Sequence, residues 1–320
     1  MDAIIARTTA TEGRPAITYR HAGDSFVLAE YGDMELDLRL NFYAIAVKAL
    51  LDASGIRGVT ESAPGYRSLM IGIDSAVLSP SAAVEALADV HSAITINDDL
   101  VIPSRRLILP IAFDDSQTSD AVARYATTMR ADAPNCCEGN NIDYIVECSG
   151  LSGREALYET VTGTQWWNAF TGFFPGLPFL FPIDPRSELN VPKYNPTRPW
   201  TPEGAVGIGG ACVAIYPVES PGGYQLFGRT LPILDMEGRN KVFVDNPLLI
   251  RPGDRVEFTV VNEEALNAQR RAVFEDRYEY QIVTEPFAVR DYLAVLAEWS
   301  DEAKAARARR DDAALSTEVP

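Results

Sequence analysis

The sequence predicts an α+β fold: a small N-terminal α/β domain, ferredoxin-like in its order of elements, then a β-barrel and a helical tail. Three observations carry this. Short strands and helices alternate over the first third of the chain; short apolar runs bounded by turn residues fill the stretch from Ala205 to Val261; and after Val261 the composition shifts toward Glu, Arg and Ala. With 320 residues, 47% of them apolar, the chain can bury a sizeable core, and at about 100–200 residues per domain it fits two domains. The boundaries expected are a mobile tail at 1–16, the α/β domain at 17–105, the barrel at 106–262 and a strand/helix extension at 263–320.

In chain order, ITYRHAGDSFVLAEYG reads as two strands joined at Ala22-Gly23-Asp24. Leu36, Leu40, Tyr43, Val47 and Leu50 recur at helical spacing and Gly55 ends that helix. GVTESAPGYRSLMIGID is strand, Pro-Gly turn, strand. Ser79 then caps a helix with Pro80 at its first position and Val84, Leu87, His91 and Ile94 on one face; RRLILPIAFD returns as the last strand of this domain. From Ser119 a helix turns Val122, Tyr125, Ala126 and Met129 inward, and a second starts at Ser152, where Glu155 completes a capping box. GTQWWNAFTGFFPGLPFLFPIDP reads as a strand, a tight turn and a loop lining a pocket or a subunit contact. AVGIGGACVAIYP, GYQLFGRTLPILD, VFVDNPLL and DRVEFTVV are barrel strands. Beyond them come a helix, the strand YEYQIV and a long helix from Phe287 to Arg310 with Tyr292, Val295, Leu296 and Trp299 on one face.

The formal charge of −17 argues against nucleic acid or anionic lipid as a partner held by a broad basic face, yet leaves room for a local cationic pocket. No apolar run approaches the length of a membrane helix and no secretory leader is visible, so the expectation is a cytoplasmic chain without a membrane partner. Cys136, Cys137, Cys148 and Cys212 show neither a disulfide framework nor metal spacing and read as free thiols. With His21 and His91 the only histidines, no metal site is expected. The glycines of AVGIGGA are misplaced for a dinucleotide fingerprint and run into a strand, no G-x-x-x-x-G-K-[ST] loop occurs, and His21 and His91, both in the N-terminal domain, offer no Ser-His-Asp candidate.

The densest chemistry lies between Asp184 and Thr230, where Pro and Gly turns present polar side chains on a stiff frame. Lys193, Arg198 and Arg229 are cations beside such turns, suited to a carboxylate or a developing oxyanion, or else paired with acidic neighbours. Glu219 suits a general base or a turn-stabilising carboxylate; Ser220, Gly222 and Gly223 form a turn whose amides can face an anion. Gln225 offers both donor and acceptor to a urea-like or lactam group, or to the backbone, and Tyr194 and Asn195 can line the same pocket. Glu219, Arg229 and Lys193 are therefore the catalytic candidates, the others substrate-binding ones.

KYNPTRPWTPEGAVGIGGA followed by YPVESPGGYQLFGRT resembles the carboxyltransferase region of urea carboxylase, and more broadly the family of the B-type subunit of 5-oxoprolinase and of allophanate hydrolase subunit 1. The resemblance implies a cyclophilin-like barrel as the second domain. It also implies one subunit of an assembly, inactive alone, that transfers a carboxyl group from biotin carried by a partner to the nitrogen of urea or a urea-like amide. Its partners would be a second carboxyltransferase subunit resembling allophanate hydrolase subunit 2, and a biotin carboxylase with its biotin carrier protein. This chain lacks a Met-Lys-Met attachment sequence and an ATP-grasp pattern, so ATP would be used by a partner. GFFPGLPFLFPID, by contrast, resembles the oxoprolinase and allophanate hydrolase subunits, which implies a pocket for an amide larger or less polar than urea. Two further readings stay open: a subunit of an ATP-dependent amide or lactam hydrolase, and a binding protein that inhibits a kinase.

Overall fold

The computed structural model describes residues 3–320, with side chains at positions 137–139 outside the described set. The expectations for Cys137 and for the first two residues of the tail therefore lie outside the described residues. The chain divides into two compact units, one made of residues 1–104 and 285–294, the other of 105–284 and 295–320. This differs from the expected boundaries chiefly at the C-terminal extension, which is shared between the two units.

In the first unit β1 (Ile4–Thr8), β2 (Ile17–His21), β3 (Phe26–Tyr31), β4 (Val59–Pro64) and β5 (Ser68–Ile73) form an antiparallel sheet in the order β1-β2-β3-β5-β4. α1 (Leu38–Ser54) links β3 to β4; Asp37 caps it by accepting from the Arg39 amide at 2.9 Å, and Gly55 ends it at φ 61°. α2 (Pro80–Ser92) starts as expected at Ser79, whose hydroxyl accepts from the Ala82 amide at 3.2 Å. The segment expected to be a mobile tail holds β1, because Thr8 faces Ile17 across a paired hairpin. A short β6 (Val101–Ile102) follows.

His91 on α2 is buried among three tyrosines. Nδ1 lies 3.0 Å from Tyr19 Oη and 2.8 Å from the Leu87 carbonyl, Nε2 lies 3.0 Å from Tyr31 Oη, and Tyr43 Oη donates to the His91 carbonyl at 2.9 Å. Burial lowers the imidazole pKa to about 4. The charged form is disfavoured in the folded state, so the contribution is complete above the unfolded pKa near 6.5 and is lost as pH falls toward 4.

The second unit opens with β7 (Arg105–Phe113), which the sequence places in the first sheet. Its pairings lie elsewhere. After α3 (Ser116–Thr128), α4 (Ile142–Cys148) and α5 (Arg154–Thr162) come β8 (Trp166–Thr171), β9 (Pro178–Pro182), β10 (Arg198–Thr201), β11 (Ala205–Gly209), β12 (Cys212–Ile215), β13 (Ser220–Gly222), β14 (Gln225–Arg229) and β15 (Arg255–Val260). α6 (Glu263–Phe274), β16 (Gln281–Thr284), β17 (Phe287–Ala288), α7 (Val289–Glu298) and α8 (Ser300–Ser316) complete the chain. The order β14-β11-β12-β9-β8-β15-β7 closes on itself through β7–β14 pairing, a seven-stranded barrel; β16 adds to the free part of β7. Leu107, Leu109 and Ile111 of β7, Val206, Ile208, Val213, Phe227 and Val256 fill the barrel, and Leu266 and Val273 of α6 join that core.

Five local expectations change. The long helix expected from Phe287 to Arg310 is the strand β17 followed by two helices, α7 and α8, broken at Trp299. α5 begins at Arg154 with Gly153 as its cap and no side-chain cap, so Ser152 and Glu155 form no capping box. Met129 is exposed, lying past the end of α3. PFLFP is the strand β9, paired with β8, rather than a loop. VFVDNPLL is a 3₁₀ turn and coil, since Asn240 caps the Val242 amide and starts a turn there.

A buried polar seam ties α4 to the strands beside it. Asn141 donates to the Asn135 carbonyl at 2.6 Å, exchanges hydrogen bonds with Tyr194 Oη at 2.7 and 2.9 Å, and accepts from the Leu226 amide at 2.8 Å. Asn135 donates to Gln225 Oε1 at 2.9 Å, and Gln225 Nε2 donates to the Pro192 carbonyl at 2.8 Å.

These two features give two expectations. Between pH 7.5 and 5 the first unit loses roughly 2 kcal/mol through His91, read from urea unfolding; equal losses in wild type and His91→Gln would refute this. Asn141→Ala, which strands the Leu226 amide and the Tyr194 hydroxyl, costs about 2–4 kcal/mol, read as a fall in thermal midpoint.

Candidate functional site

β10 to β14 carry most of the residues singled out in the sequence, and the structure distributes them over three environments. One is a pocket of about 250 Å³ in the second unit, walled by Phe173, Leu177, Phe179, Tyr216 and Tyr224, with Lys193, Thr197 and Gly223 at polar positions. Lys193 is exposed, its Nζ 5.4 Å from the centre of the Tyr224 ring. Among the described residues no carboxylate lines this pocket.

The walls are set from behind. A Cβ on Gly209 would fall 2.3 Å from Tyr224 Cδ1, so the Tyr224 ring lies directly on the β11 backbone, and Cys212 Sγ holds its hydroxyl at 2.9 Å. A Cβ on Gly222 would meet Tyr216 Oη at 2.4 Å. Phe173, at the tip of the β8–β9 hairpin, takes φ 66° and stays largely exposed. A phenylalanine in left-handed conformation is an unfavourable choice unless its position at the rim is useful.

The second environment is the floor beneath. Arg198 is almost fully buried: Nη1 donates to the Tyr224 carbonyl and Nη2 to Thr201 Oγ1, each at 3.0 Å, and its guanidinium lies 4.6 Å above the Tyr194 ring. Tyr194 and Gln225 belong to the buried seam, and the Tyr194 amide donates to the Gly223 carbonyl at 2.8 Å. Burial pushes the Tyr194 phenol well above its ordinary pKa, so it stays a neutral donor. Arg198, Tyr194 and Gln225 thus support the pocket rather than face it. Asn195, in a cis peptide with Pro196, is exposed and its carbonyl accepts from Arg130 at 3.1 Å. The Ser220 hydroxyl is buried with no hydrogen-bond partner among the described residues.

The third is a cleft of about 330 Å³ lined by Glu203, Glu219, Asp235, Glu237, Arg239 and Phe274 among others. Glu219 lies at the opposite end of β13 from Gly223, about 13 Å away at the rise of an extended chain. It therefore does not reach the pocket that holds Lys193. Arg229 is half-buried, Nε donating to the Glu203 carbonyl at 2.9 Å; burial and the neighbouring Arg270 lower its pKa. Arg270 of α6 forms a close ion pair with Glu203, whose carboxyl pKa burial raises. The three catalytic candidates are not brought together: Lys193 stands at one pocket, Glu219 and Arg229 near the other.

Sequence reasoning missed Asn135, Asn141 and Glu203, and it had no way to single out Tyr216 and Tyr224. The run NCCEGNN between two helices was the available signal for the asparagines, since buried amides at helix ends need paired groups. Among the described residues no group of three or more His, Cys, Asp or Glu is placed to hold a metal, and no helix is long and apolar enough to cross a membrane.

The chain is 34% identical over 279 residues to the urea amidolyase of Lachancea kluyveri, covering 87% of this chain and 15% of that protein. It is 25% identical over 258 residues to the B-type subunit of the Bacillus subtilis 5-oxoprolinase, covering 78% of this chain and 94% of that subunit. The solved urea carboxylase of Kluyveromyces lactis superposes with a TM-score of 0.87 at 31% identity, over 100% of this chain and 29% of the other. This chain thus corresponds to a minor part of the amidolyase and the carboxylase. The family model described as carboxyltransferase domain, subdomain C and D, matches residues 17–244, which cover β2 to β5 of the first unit's sheet, the barrel up to β14 and the whole of the Lys193 pocket, and the chain belongs to that family.

Proposed function

We propose that this chain is one half of a biotin-dependent carboxyltransferase that delivers a carboxyl group to the nitrogen of urea or a urea-like amide. The observation that carries the reading is the apolar, aromatic-walled pocket with one exposed ammonium, Lys193, at its polar side. The lining fits such a cofactor: Phe173, Leu177, Phe179, Tyr216 and Tyr224 match the thioether ring and the flat faces of biotin, and Lys193 matches a carboxylate or the ureido or amide oxygen. When bound, biotin supplies the activated carboxyl group.

The chain's own residues bind and polarise. Lys193 donates to the carbonyl oxygen of the acceptor amide, drawing electron density from it and making the N–H more acidic as the new C–N bond forms. The aromatic walls exclude water that would hydrolyse the activated carboxyl. Proton removal is assigned to the partner half. Glu219, Arg229 and Glu203 serve the second cleft in this reading, as a binding surface for acceptor or partner.

The cofactor biotin and the use of ATP belong to partners in this proposal, namely a second carboxyltransferase half and a biotin carboxylase with its carrier, and the chain is inactive alone in the cytoplasm. Similarity across nearly all of the 5-oxoprolinase subunit supports a second reading, a component of an ATP-dependent lactam hydrolase working without biotin.

Mixed with its carboxyltransferase partner and the biotin-bearing carboxylase, the chain should support amide-dependent ATP consumption that avidin abolishes. Turnover that survives avidin would favour the hydrolase. Lys193→Met should lower kcat/KM about 10–100-fold with an unchanged thermal midpoint. Phe173→Ala should raise KM several-fold and leave kcat nearly intact, which separates rim binding from polarisation.

A further inference from the structure

The first unit holds a further pocket, of about 230 Å³, beside the His91 cluster and far in sequence from the residues around Lys193 and Glu219. It lies where the hairpin between β1 and β2 meets α2. Thr8, Thr9, Thr11, Arg14, Tyr19 and Tyr43 supply its polar lining, and among the described residues no carboxylate lines it. In a chain of net charge −17 that is an unusual enclave.

Its donors are left over from the internal hydrogen bonding. The Leu87 carbonyl only accepts, so its 2.8 Å contact puts the proton of His91 on Nδ1. Nε2 is then the acceptor for the Tyr31 hydroxyl at 3.0 Å. Tyr19 Oη, 3.0 Å from the protonated Nδ1, can only accept there. Its own hydroxyl proton remains to be donated, and Tyr19 is 2% exposed and lines the pocket. Arg14 adds a second unused donor. Nη1 donates to the Ser92 carbonyl at 3.3 Å, while the buried Nε has no hydrogen-bond acceptor among the described residues. Thr8 Oγ1 already accepts from the Ile17 amide at 3.2 Å, so its hydroxyl proton is also available.

The frame is rigid. Thr11 and Arg14 exchange backbone hydrogen bonds at 3.0 and 3.1 Å across the hairpin, and the Gly13 carbonyl accepts from the Ile96 amide at 2.7 Å. Gly13 takes φ 70°, and a Cβ there would fall 2.4 Å from Thr95 Cγ2, so the turn sits flush against the segment that follows α2. Arg14 is thereby held over the pocket.

From this geometry we infer that the pocket is a binding site for a small oxyanion, held by Arg14, the Tyr19 hydroxyl and the threonine hydroxyls. A buried guanidinium nitrogen and a buried phenol, both with protons and no acceptor, are costly unless an acceptor arrives. Carboxylate and phosphate share the required chemistry, with acceptor oxygens matched to a guanidinium fork. The ligand binds apart from the Lys193 pocket, so the inference stands independently of the carboxyltransferase reading.

Isothermal titration calorimetry on the full chain, at low ionic strength, with sodium phosphate and separately with sodium acetate, tests it. Saturable binding of phosphate alone assigns a phosphate-type ligand, and saturable binding of acetate assigns a carboxylate. Either should shift the amide resonances of Thr8, Thr9, Thr11 and Arg14. Arg14→Gln should weaken binding about 10-fold or more, and Tyr19→Phe about 3- to 10-fold, with the thermal midpoint of Arg14→Gln close to wild type. If Tyr19→Phe does not fold, Arg14→Gln decides, because Arg14 sits on a surface hairpin. Absence of saturable binding by both anions, or binding by Arg14→Gln as tight as wild type, overturns the inference.

Discussion

Nine residues, Arg105 to Phe113, carry three neighbours, and the second unit depends on that. β15 runs parallel along one edge of β7 from Arg106 to Ile111; on the other edge β16 pairs with Arg105 to Ile108 and β14 with Ala112 and Phe113. The β14 contact is short but it closes the barrel. Closure removes the free edges that seven strands would otherwise expose and lets Leu107, Leu109 and Ile111 face a core enclosed on all sides. Gly228 makes the approach possible, since a Cβ there would fall 2.7 Å from the Ala112 carbonyl.

Around this cylinder the polar groups fall into a supporting set and a presenting set. Arg198, Tyr194, Gln225, Asn135 and Asn141 are bound to one another or to backbone, and their role is to hold β10, β13 and β14 in place. Lys193, Thr197 and Gly223 are what remains facing outward. An amide nitrogen and a carbonyl oxygen could be read by such groups only if the supporting set stays still. The paired majority of this buried network provides that stillness, with Asn135 Oδ1 and Arg198 Nε its two atoms without a partner among the described residues, whereas one missing member leaves several more groups unpaired.

Much of the local structure was legible in the sequence. Ser79-Pro80 announced the start of α2 and Gly55 the end of α1, because capping chemistry is local. The Pro- and Gly-rich run around Lys193 marked the pocket for the same reason. Partnership between strands was not legible: RRLILPIAF reads as a strand under any topology, and only tertiary closure decides that it joins β14 and β15 rather than the first sheet. The division of Lys193 from Glu219 was hidden too, since Glu219 and Gly223 flank one short strand, β13, yet line different cavities at its two ends. Nor could Gln225 be distinguished as support, because its two amide partners, Asn135 and Pro192, are remote in sequence or set by a turn.

The contact between Tyr224 and Gly209 places the control of pocket size behind the wall. The ring rests on bare backbone, so the smallest added side chain at 209, a residue absent from the lining, would drive the phenol forward into the cavity. A substitution there would change the room in the pocket without altering any of its lining residues. The barrel strand β11 is in that sense an adjustable backstop, and the size of the cavity is set partly by its glycines.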